Sequence, residues 1–370
     1  NALLGRETFA RQISLIIGLS MANIEYRKQT AKQLKKHPPL DTLELTAENG
    51  VNTGSNNSAS LSKTTLTKSV SRKSFQNHYI PYLAQLAEQE KNEYWRKRSW
   101  KVFHCADSLS ISEGEYRRKR CKLSECLICQ GYKTNQRVKT HLPILQQLKD
   151  LHFVTLTVPN VLVCDLRQTI RLMSDTHRSI RDRLRKQGYK ARGAKNLEVT
   201  FNPDRSDFHP HFHCIVETKE IAKLFVKYWV EAWEKKSVWL SKEAQDCRPF
   251  GSKESDLLEA FKYANKIITT NKQDARKIHS WGLYESIKAT SGGKGGIRTF
   301  QTFGFTRSQF KTEKESATMK VDTSLPEGSY SFVFDKDASF FDYVDLGSGI
   351  SLTDYQMPKG LSILLNENIV

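Results

Sequence analysis

A short run of alternating histidines, residues 208–216, places the strongest constraint on how this chain folds. It reads Phe-His-Pro-His-Phe-His-Cys-Ile-Val and holds three of the chain's 10 histidines. Side chains of a β-strand alternate between its two faces, so a strand here places His211 and His213 on one face and Phe212 and Cys214 on the other. Two imidazoles on one face can bind one divalent metal ion. The alternative is a strand with surface histidines, and the flanking motifs favour the metal.

The residues just before this run predict the other half of a β-hairpin. Residues 197–201 have the pattern of a short strand, and residues 202–207 have the composition of a turn. If the two strands pair, Glu198 adds a carboxylate oxygen beside His211 and His213. Two histidines and one carboxylate suit Mg²⁺ or Mn²⁺ recruited with a phosphate substrate. A solvated strand carboxylate explains Glu198 equally well from spacing alone.

Four of the seven cysteines have the spacing of a metal site, C-x15-C-x4-C-x2-C. We expect them to bind one structural Zn²⁺, because four thiolates leave no open position for chemistry. Four buried free thiols are the alternative, and His104 is a spare ligand should one cysteine point away. The other three cysteines are scattered, which favours a reducing cytoplasm over a disulfide framework. The four predicted zinc ligands are Cys105, Cys121, Cys126 and Cys129.

The charge of the chain predicts a polyanionic partner. The formal net charge is +18 and the isoelectric point is near 9.5, which favours nucleic acid first and an anionic membrane surface second. No apolar run approaches the ~18 residues of a membrane span, and no secretory signal is evident. We therefore expect a cytoplasmic protein that binds DNA and no membrane. The last 60 residues reverse the trend, with 5 lysines against 10 acidic residues.

Composition and periodicity divide the chain into five parts. We expect an N-terminal helical segment at 1–40, a flexible linker at 41–75 and a helix with the four-cysteine segment at 76–150. A core domain follows at 151–310, and 311–370 form an acidic tail or an accessory unit. Helices are predicted at about 79–97, 136–149, 166–187, 220–235 and 256–270, a strand at 151–158, and a loop at 247–249. The helix at 166–187 has a basic face of six arginines: Arg167, Arg171, Arg178, Arg181, Arg183 and Arg185.

The helix predicted at 256–270 has a distinctive polar face. Glu259, Tyr263 and Lys266 are spaced i, i+4 and i+7, so they share one side of the helix. The opposite side carries apolar residues such as Phe261. By itself, this pattern is explained by a plain solvated face that contains a tyrosine.

Three motifs occur in order along the chain, at 153–160 (Phe-Val-Thr-Leu-Thr-Val-Pro-Asn), 209–213 (His-Pro-His-Phe-His) and 259–266 (Glu-x-x-x-Tyr-x-x-Lys). Together they resemble the rolling-circle replication initiators of small bacterial plasmids, in the HUH endonuclease group. The resemblance covers roughly residues 98–310 and includes the four-cysteine segment. It implies an α+β fold with a five-stranded central antiparallel sheet flanked by helices. It also implies that His211 and His213 hold the metal. We expect His209 to matter less, as a group that positions the metal ligands.

The resemblance also implies a mechanism for origin-specific DNA nicking. Tyr263 is then the nucleophile that forms a 5′-phosphotyrosine at the plasmid double-strand origin and leaves a 3′-hydroxyl as a primer. Lys266 favours the phenolate or binds phosphate, and Glu259 acts as the base on water that terminates replication. The glutamate one turn before the tyrosine is the feature that points to the plasmid subgroup.

Two other classes of protein are consistent with parts of the sequence. One is an HUH single-tyrosine transposase or relaxase, and the other is a non-enzymatic zinc-dependent DNA-binding regulator. The regulator leaves the histidine strand and the Glu259–Tyr263–Lys266 face unexplained. No G-x-x-x-x-G-K-[ST] loop is present, and the Gly-rich run at 292–296 reads as a turn, so we expect no ATPase. A host helicase and a DNA polymerase are therefore expected partners.

Overall fold

Two antiparallel β-sheets and the helices packed against them make up the computed structural model, an α+β fold. It describes residues 63–251, 256, 260–261, 273–291, 296–306, 309–310, 318–320, 325–335 and 340–353. The helical segment expected at 1–40 therefore lies outside the described residues.

The helices are α1 Lys63–Gln89, α2 Glu93–Phe103, α3 Leu127–Leu145, α4 Val163–Lys186, α5 Lys219–Glu234 and α6 Gln273–Ser291. The strands are β1 Ser108–Ser112, β2 Glu115–Arg118, β3 Leu151–Thr157, β4 Gly193–Asn202, β5 Asp207–Glu217, β6 Asp246–Pro249, β7 Phe300–Phe303, β8 Thr318–Lys320, β9 Gly328–Asp335 and β10 Phe340–Asp345.

The first sheet contains the histidine run in its central strand. Its strand order is β6-β3-β5-β4-β7, and all four pairings are antiparallel. β4 and β5 form the expected hairpin, paired from Gly193 opposite Val216 to Asn202 opposite Asp207. A central strand is hydrogen-bonded on both sides, so its side chains are held in a fixed register.

The two faces of this sheet are covered differently. On one face Phe212 and Cys214 of β5 are fully buried against α4 and α5, in a core that includes Trp229. On the other face, Phe153 and Ile215 pack with Phe261 and with α3. The alternation predicted for residues 208–216 is therefore present, with apolar side chains buried on one face and His211 and His213 on the other.

The second sheet joins the cysteine segment to the C-terminal part of the chain. Its order is β10-β9-β1-β2-β8, again antiparallel. β1 and β2 form a hairpin between Cys105 and Cys121, and β9 pairs with the outer edge of β1. Tyr343 of β10 donates a hydrogen bond to the carbonyl of Ala106, 2.6 Å away. The described strands of 311–370 therefore belong to the second sheet.

Helix α1 begins inside the segment that we expected to be a linker. Leu66 and Val70, spaced i, i+4, are fully buried in the core of the second sheet. Lys73 is also buried and pairs with Asp107, and its ammonium donates to the carbonyl of Phe103. Tertiary packing thus overrides the weak helix propensity of this Ser- and Thr-rich stretch.

Other boundaries also differ from those predicted. The helix predicted at about 79–97 is two helices, α1 and α2, because the chain turns at residues 90–92 and Asn92 caps α2. Residues 246–249 form the edge strand β6 instead of a loop, with Pro249 at the strand end, where a missing N–H does little harm. Helix α3 begins at Leu127 and not near residue 136, because Cys126 caps it by accepting a hydrogen bond from the Cys129 N–H. The helix begins within the cysteine segment, where the spacing of the cysteines did not indicate a helix.

Helix α6 packs on the first sheet and against the end of helix α1. Trp281 packs on Phe201 of β4, with ring centroids 5.4 Å apart. Further along the helix, Tyr284 donates to Glu90, and Lys288 pairs with the same carboxylate. Within the described ranges, we find no helix that combines the length and apolarity needed to cross a bilayer.

Candidate functional site

The β4–β5 pairing brings one carboxylate and two imidazoles together. Glu198 is the register partner of His211, and His213 lies one step along the same face. A Glu198 carboxylate oxygen, Oε2, is 3.1 Å from His213 Nε2 and 3.5 Å from His211 Nε2. One ligand atom from each residue lies within 4.8 Å of the others, a geometry that can hold a metal ion. We call these three residues the triad.

The triad is buried. The side chains of Glu198, His211 and His213 retain 4%, 10% and 11% of their exposure. Neither a strand with surface histidines nor a solvated Glu198 describes this arrangement. Burying a carboxylate beside two imidazoles is costly unless a cation compensates it.

The Nδ1 atom of each triad imidazole, across the ring from the nitrogen that faces Glu198, has a hydrogen-bond partner. His211 Nδ1 is 3.1 Å from the carbonyl oxygen of His209, and His213 Nδ1 is 3.4 Å from the Thr155 hydroxyl. A carbonyl only accepts, so Nδ1 of His211 carries the proton, and in the neutral ring Nε2 presents a lone pair. That lone pair faces a carboxylate oxygen, another acceptor. The donor set therefore fits a divalent cation, which would bridge these groups.

His209 belongs to a supporting network and not to the triad. Its Nδ1 lies 3.0 Å from the side-chain oxygen of Asn160, whose amide donates to Asp207 at 2.7 Å. The His209 and His211 rings stack at 4.9 Å. Burial, with the nearby His211, lowers the pKa of His209 to about 4, so its ring is neutral at physiological pH. The positioning role expected for His209 stays a prediction.

Sequence reasoning assigned no role to two residues that contact these rings. Thr155 of β3 is the register partner of His213, and Asn160 follows the end of that strand. Both lie inside the first motif, at 153–160, so the motif contained the signal. The motif could not show which of its polar side chains face the histidines, because this depends on the β3–β5 register.

The predicted helix at 256–270 is described at only three positions. Asp256, Ala260 and Phe261 are helical. Phe261 is fully buried and packs with Phe153 and Ile215, on the sheet face that carries the triad. Asp256 pairs with Arg248 of β6. The three predicted catalytic residues of this helix lie outside the described residues: Glu259, Tyr263 and Lys266.

The four cysteines converge as predicted from their spacing. The Cys105 and Cys121 sulfurs each lie 3.7 Å from the Cys129 sulfur, and all four lie within 4.8 Å of one another. Four sulfurs about 2.3 Å from one zinc ion would lie about 3.8 Å apart at the corners of a tetrahedron. The separation is too long for disulfides, which need about 2.05 Å. The geometry therefore fits a tetrahedral metal ion, and we call this group the four-cysteine cluster.

Backbone N–H groups support the sulfurs of this cluster. The Lys122 N–H donates to Cys129 at 3.2 Å, and the Cys121 N–H donates to Cys105 at 3.3 Å. Hydrogen bonds from the neighbouring thiols and from Lys122 hold the pKa of Cys129 far below its usual range. His104 contributes nothing here, since it is exposed and its Nδ1 lies 2.8 Å from Asp107.

The helix at 163–186 uses some of its arginines to hold the fold. Arg167 donates to the carbonyls of Lys288 and Ala289 at the end of α6. Arg183 stacks 3.5 Å above the Tyr228 ring and pairs with Glu231. The basic face predicted from the sequence is therefore partly structural. Arg181 is half-buried over the Phe303 ring, and three exposed arginines remain: Arg171, Arg178 and Arg185. The last two form surface ion pairs with Asp175 and Asp182.

The triad lies within the part of the chain that is similar to known proteins. Residues 115–280 match a family model described as "Replication protein". Each of three curated relatives is named "Protein rep". The one from Staphylococcus aureus is 26% identical over 177 residues, which cover 44% of this chain and 76% of that protein.

The two other relatives come from Bacillus species. One from Bacillus sp. and one from Bacillus amyloliquefaciens are each 24% identical over 159 residues. The aligned part covers 38% and 40% of this chain, and about half the length of each relative (52% and 46%). No solved structure matches the chain significantly. The family match and the three relatives together support the expectation of a plasmid replication initiator, in the region of the chain that contains the triad.

Proposed function

We propose that this chain starts and ends plasmid rolling-circle replication by nicking one DNA strand at the origin. The observation that carries the proposal is the buried triad on the central strand of a five-stranded antiparallel sheet. This is the arrangement implied by the HUH resemblance. The family match at 115–280 and the net charge of +18 support the same conclusion.

The triad would hold the catalytic ion in this mechanism. Glu198, His211 and His213 provide one oxygen and two nitrogen ligands, a set compatible with Mn²⁺ or Mg²⁺. An ion held by these three residues would supply Lewis-acid chemistry, polarising the scissile phosphate and neutralising charge in the transition state. Thr155 and the His209 carbonyl orient the two imidazoles for this task.

Tyr263 is the proposed nucleophile. Its phenolate oxygen attacks the scissile phosphorus, the bond to the 3′-oxygen breaks, and a 5′-phosphotyrosine forms while the 3′-oxygen takes up a proton. Lys266 favours the phenolate form of the tyrosine or binds phosphate. After one round, Glu259 takes a proton from water, and the water oxygen attacks the scissile phosphorus of the regenerated nick site. The bond to the 3′-oxygen breaks and that oxygen takes up a proton, so this second cleavage links no tyrosine to the DNA and the enzyme is released and not re-linked.

The four-cysteine cluster has a structural role in this proposal. It clamps the β1–β2 hairpin between Cys105 and Cys121 and caps α3 at Cys126. Four sulfur ligands fill a tetrahedral site, so a zinc ion held there has no position for substrate.

Extended unwinding and synthesis fall to other proteins. The sequence contains no nucleotide-binding P-loop, so we expect a host helicase to separate the strands and a host polymerase to extend the 3′-hydroxyl. A strand-displacement assay with the pure chain and ATP measures this directly, and unwinding in that assay would contradict the expectation.

A nicking assay on DNA of the carrying replicon tests the central proposal. Wild-type protein should nick supercoiled and single-stranded origin DNA with Mg²⁺ or Mn²⁺ and give a covalent protein–DNA adduct on a denaturing gel. His211→Ala and His213→Ala should abolish both products and leave duplex binding largely intact, since binding rests on basic surface. His104→Gln, an exposed histidine outside the triad, is the matched control. Equal nicking by the triad variants would contradict the mechanism, and nicking confined to transposon ends would favour a transposase.

A further inference from the structure

A basic groove lies on the side of the first sheet opposite the triad. It runs between α4, the edge of β4 and β7, and residues 296–298, and encloses about 530 Å³. Five basic side chains line it against a single acidic one, Asp175. The basic residues are Arg171, Arg178, Arg181, Lys195 and Arg298. We call this feature the α4 groove.

Lys195 lies at the floor of the α4 groove. It is a β4 residue, and strand alternation directs its side chain to the face opposite Glu198. The residue is 4% exposed, and its ammonium lies 4.4 Å from the centroid of the Phe212 ring. No acidic side chain or carbonyl within the described part of the chain bonds to it. A buried ammonium without an anion is costly, unless an anion from outside supplies the missing charge.

Neighbouring groups increase the positive potential at this floor. Burial, with the charges of Arg181 and Arg178, lowers the pKa of Lys195 to about 8. Arg181 is half-buried, and its Nε atom has no hydrogen-bond partner among the described residues. Asp175 does not neutralise the groove, because it is exposed and pairs with Arg178 at 3.2 Å.

The arginines beside the groove suit an extended polyanion more than a single small anion. Arg171, Arg178 and Arg185 are spaced seven residues apart on α4, and all three are exposed. Seven residues bring the helix almost back to the same side, so the three lie in a row about 21 Å long. A nucleic-acid backbone presents negative charge along such a length, whereas a free nucleotide occupies only one end of it.

We propose that the α4 groove binds the sugar–phosphate backbone of DNA as a second site, on the sheet face opposite the triad. Lys195 and Arg181 contact phosphate at the floor, and the row on α4 follows the backbone outward. The choice of DNA as the polyanion rests on the proposed replication function. DNA held here is separated from the triad by the thickness of the sheet, so the site contributes to holding the origin and not to cleaving it.

Salt-dependent DNA binding tests this proposal. The logarithm of the binding constant for a fluorescent origin duplex should fall linearly with the logarithm of salt concentration. Removal of a phosphate contact lowers the slope by about one. We expect the slope to fall by about one for Lys195→Met, which keeps the length of the side chain. We expect it to fall by about two for the double variant Arg171→Ala with Arg178→Ala. The double variant lies on the exposed side of α4, so it probes the site even if Lys195→Met perturbs folding.

A control variant and three possible results distinguish a failure of the second DNA site from a failure of the proposed function. Lys97→Ala removes an equally exposed charge on α2, away from the groove, and should keep the wild-type slope. If wild type binds DNA and the groove variants keep its affinity and slope, the second site is wrong while the replication function stands. If the variants lose binding of a fluorescent mononucleotide and keep DNA binding, the groove is a nucleotide site and the proposal is overturned. If wild type binds no DNA and forms no adduct on origin DNA, the proposed function itself fails.

Discussion

Glu198 and His211 face each other directly across the β4–β5 hairpin, with the carboxylate Oε2 3.5 Å from Nε2 of the imidazole. His211 cannot turn this nitrogen away without losing the hydrogen bond from Nδ1 to the His209 carbonyl. Glu198 is also 3.1 Å from His213. One carboxylate therefore lies against two imidazoles, and each imidazole is oriented by a hydrogen bond at its Nδ1 atom. A metal centre needs ligands that are oriented in this way before the ion binds.

The supporting hydrogen bonds should control metal affinity more than turnover. Thr155→Val and Asn160→Ala leave all three triad ligands in place but remove the groups that orient His213 and His209. We expect Mn²⁺ affinity to fall by about 10- to 100-fold in calorimetric titrations, with nicking near wild type at saturating metal. Asn135→Ala, at an exposed asparagine of α3, is the control. Unchanged affinity in both variants would show that the imidazoles are oriented by packing alone.

Loss of the zinc should loosen the second sheet while the first stays intact. Cys126→Ala removes one sulfur of the four-cysteine cluster and the cap of α3. Elemental analysis should show about one zinc per wild-type chain and a clear loss in the variant. Hydrogen exchange should increase in β1, β2 and β9, because the hairpin clamped between Cys105 and Cys121 carries them. Cys164→Ala, at an exposed cysteine outside the cluster, should keep both properties. No zinc in wild-type protein purified without chelator refutes the assignment.

Substitutions of Tyr263 and Glu259 should affect the two cleavage steps differently. Tyr263→Phe removes only the nucleophilic oxygen, so nicking and adduct should both be lost. Glu259→Ala removes a base that only water requires, so the first cleavage and the adduct should persist. Termination should then fail and give products longer than one replicon. Rates of both cleavages on one origin substrate measure this. An equal slowing of the two steps by Glu259→Ala would mean that the glutamate orients Lys266 instead, and adduct formation by Tyr263→Phe would mean that another tyrosine is the nucleophile.

The buried Lys195 should make stability depend on pH in a defined window. Its pKa falls from the ordinary 10.5 to about 8 because of burial. Between these values the unfolded chain binds a proton that the folded chain does not, so the free energy of unfolding rises as pH increases from 8 toward 10. Lys195→Met has no ammonium to titrate, so its stability lacks this dependence on pH. The variant should be more stable than wild type at pH 7, by at most on the order of 3 kcal/mol. The difference should shrink by pH 10.

Urea unfolding of wild type and variant at pH 7 and pH 9.5, without DNA, measures the effect. The comparison of the two proteins at each pH cancels the titration of other groups. Lys97→Ala, at an exposed lysine, is the control variant and is unfolded under the same conditions. A constant gap between wild type and Lys195→Met at the two pH values would mean that the ammonium is not buried in solution.

The sequence by itself determined the features that depend on local periodicity and spacing. Alternation placed His211 and His213 on one face, and the short cysteine intervals predicted one tetrahedral cluster. Both follow from backbone geometry over a few residues. The ordered motifs likewise pointed to replication, in agreement with the family matched at 115–280.

Only the tertiary structure decided which residues meet across strands. Glu198 could equally have been a solvated carboxylate, and the strand register placed it against His211. The helix that begins at Lys63 and the β9–β1 pairing also arise from packing between distant segments. Lys195 lies before the strand predicted at 197–201, and no pattern in the sequence marks it, yet the fold places it in β4 and buries it without an acidic partner among the described residues. Register and burial depend on contacts between residues far apart in the chain, and no local pattern contains that information.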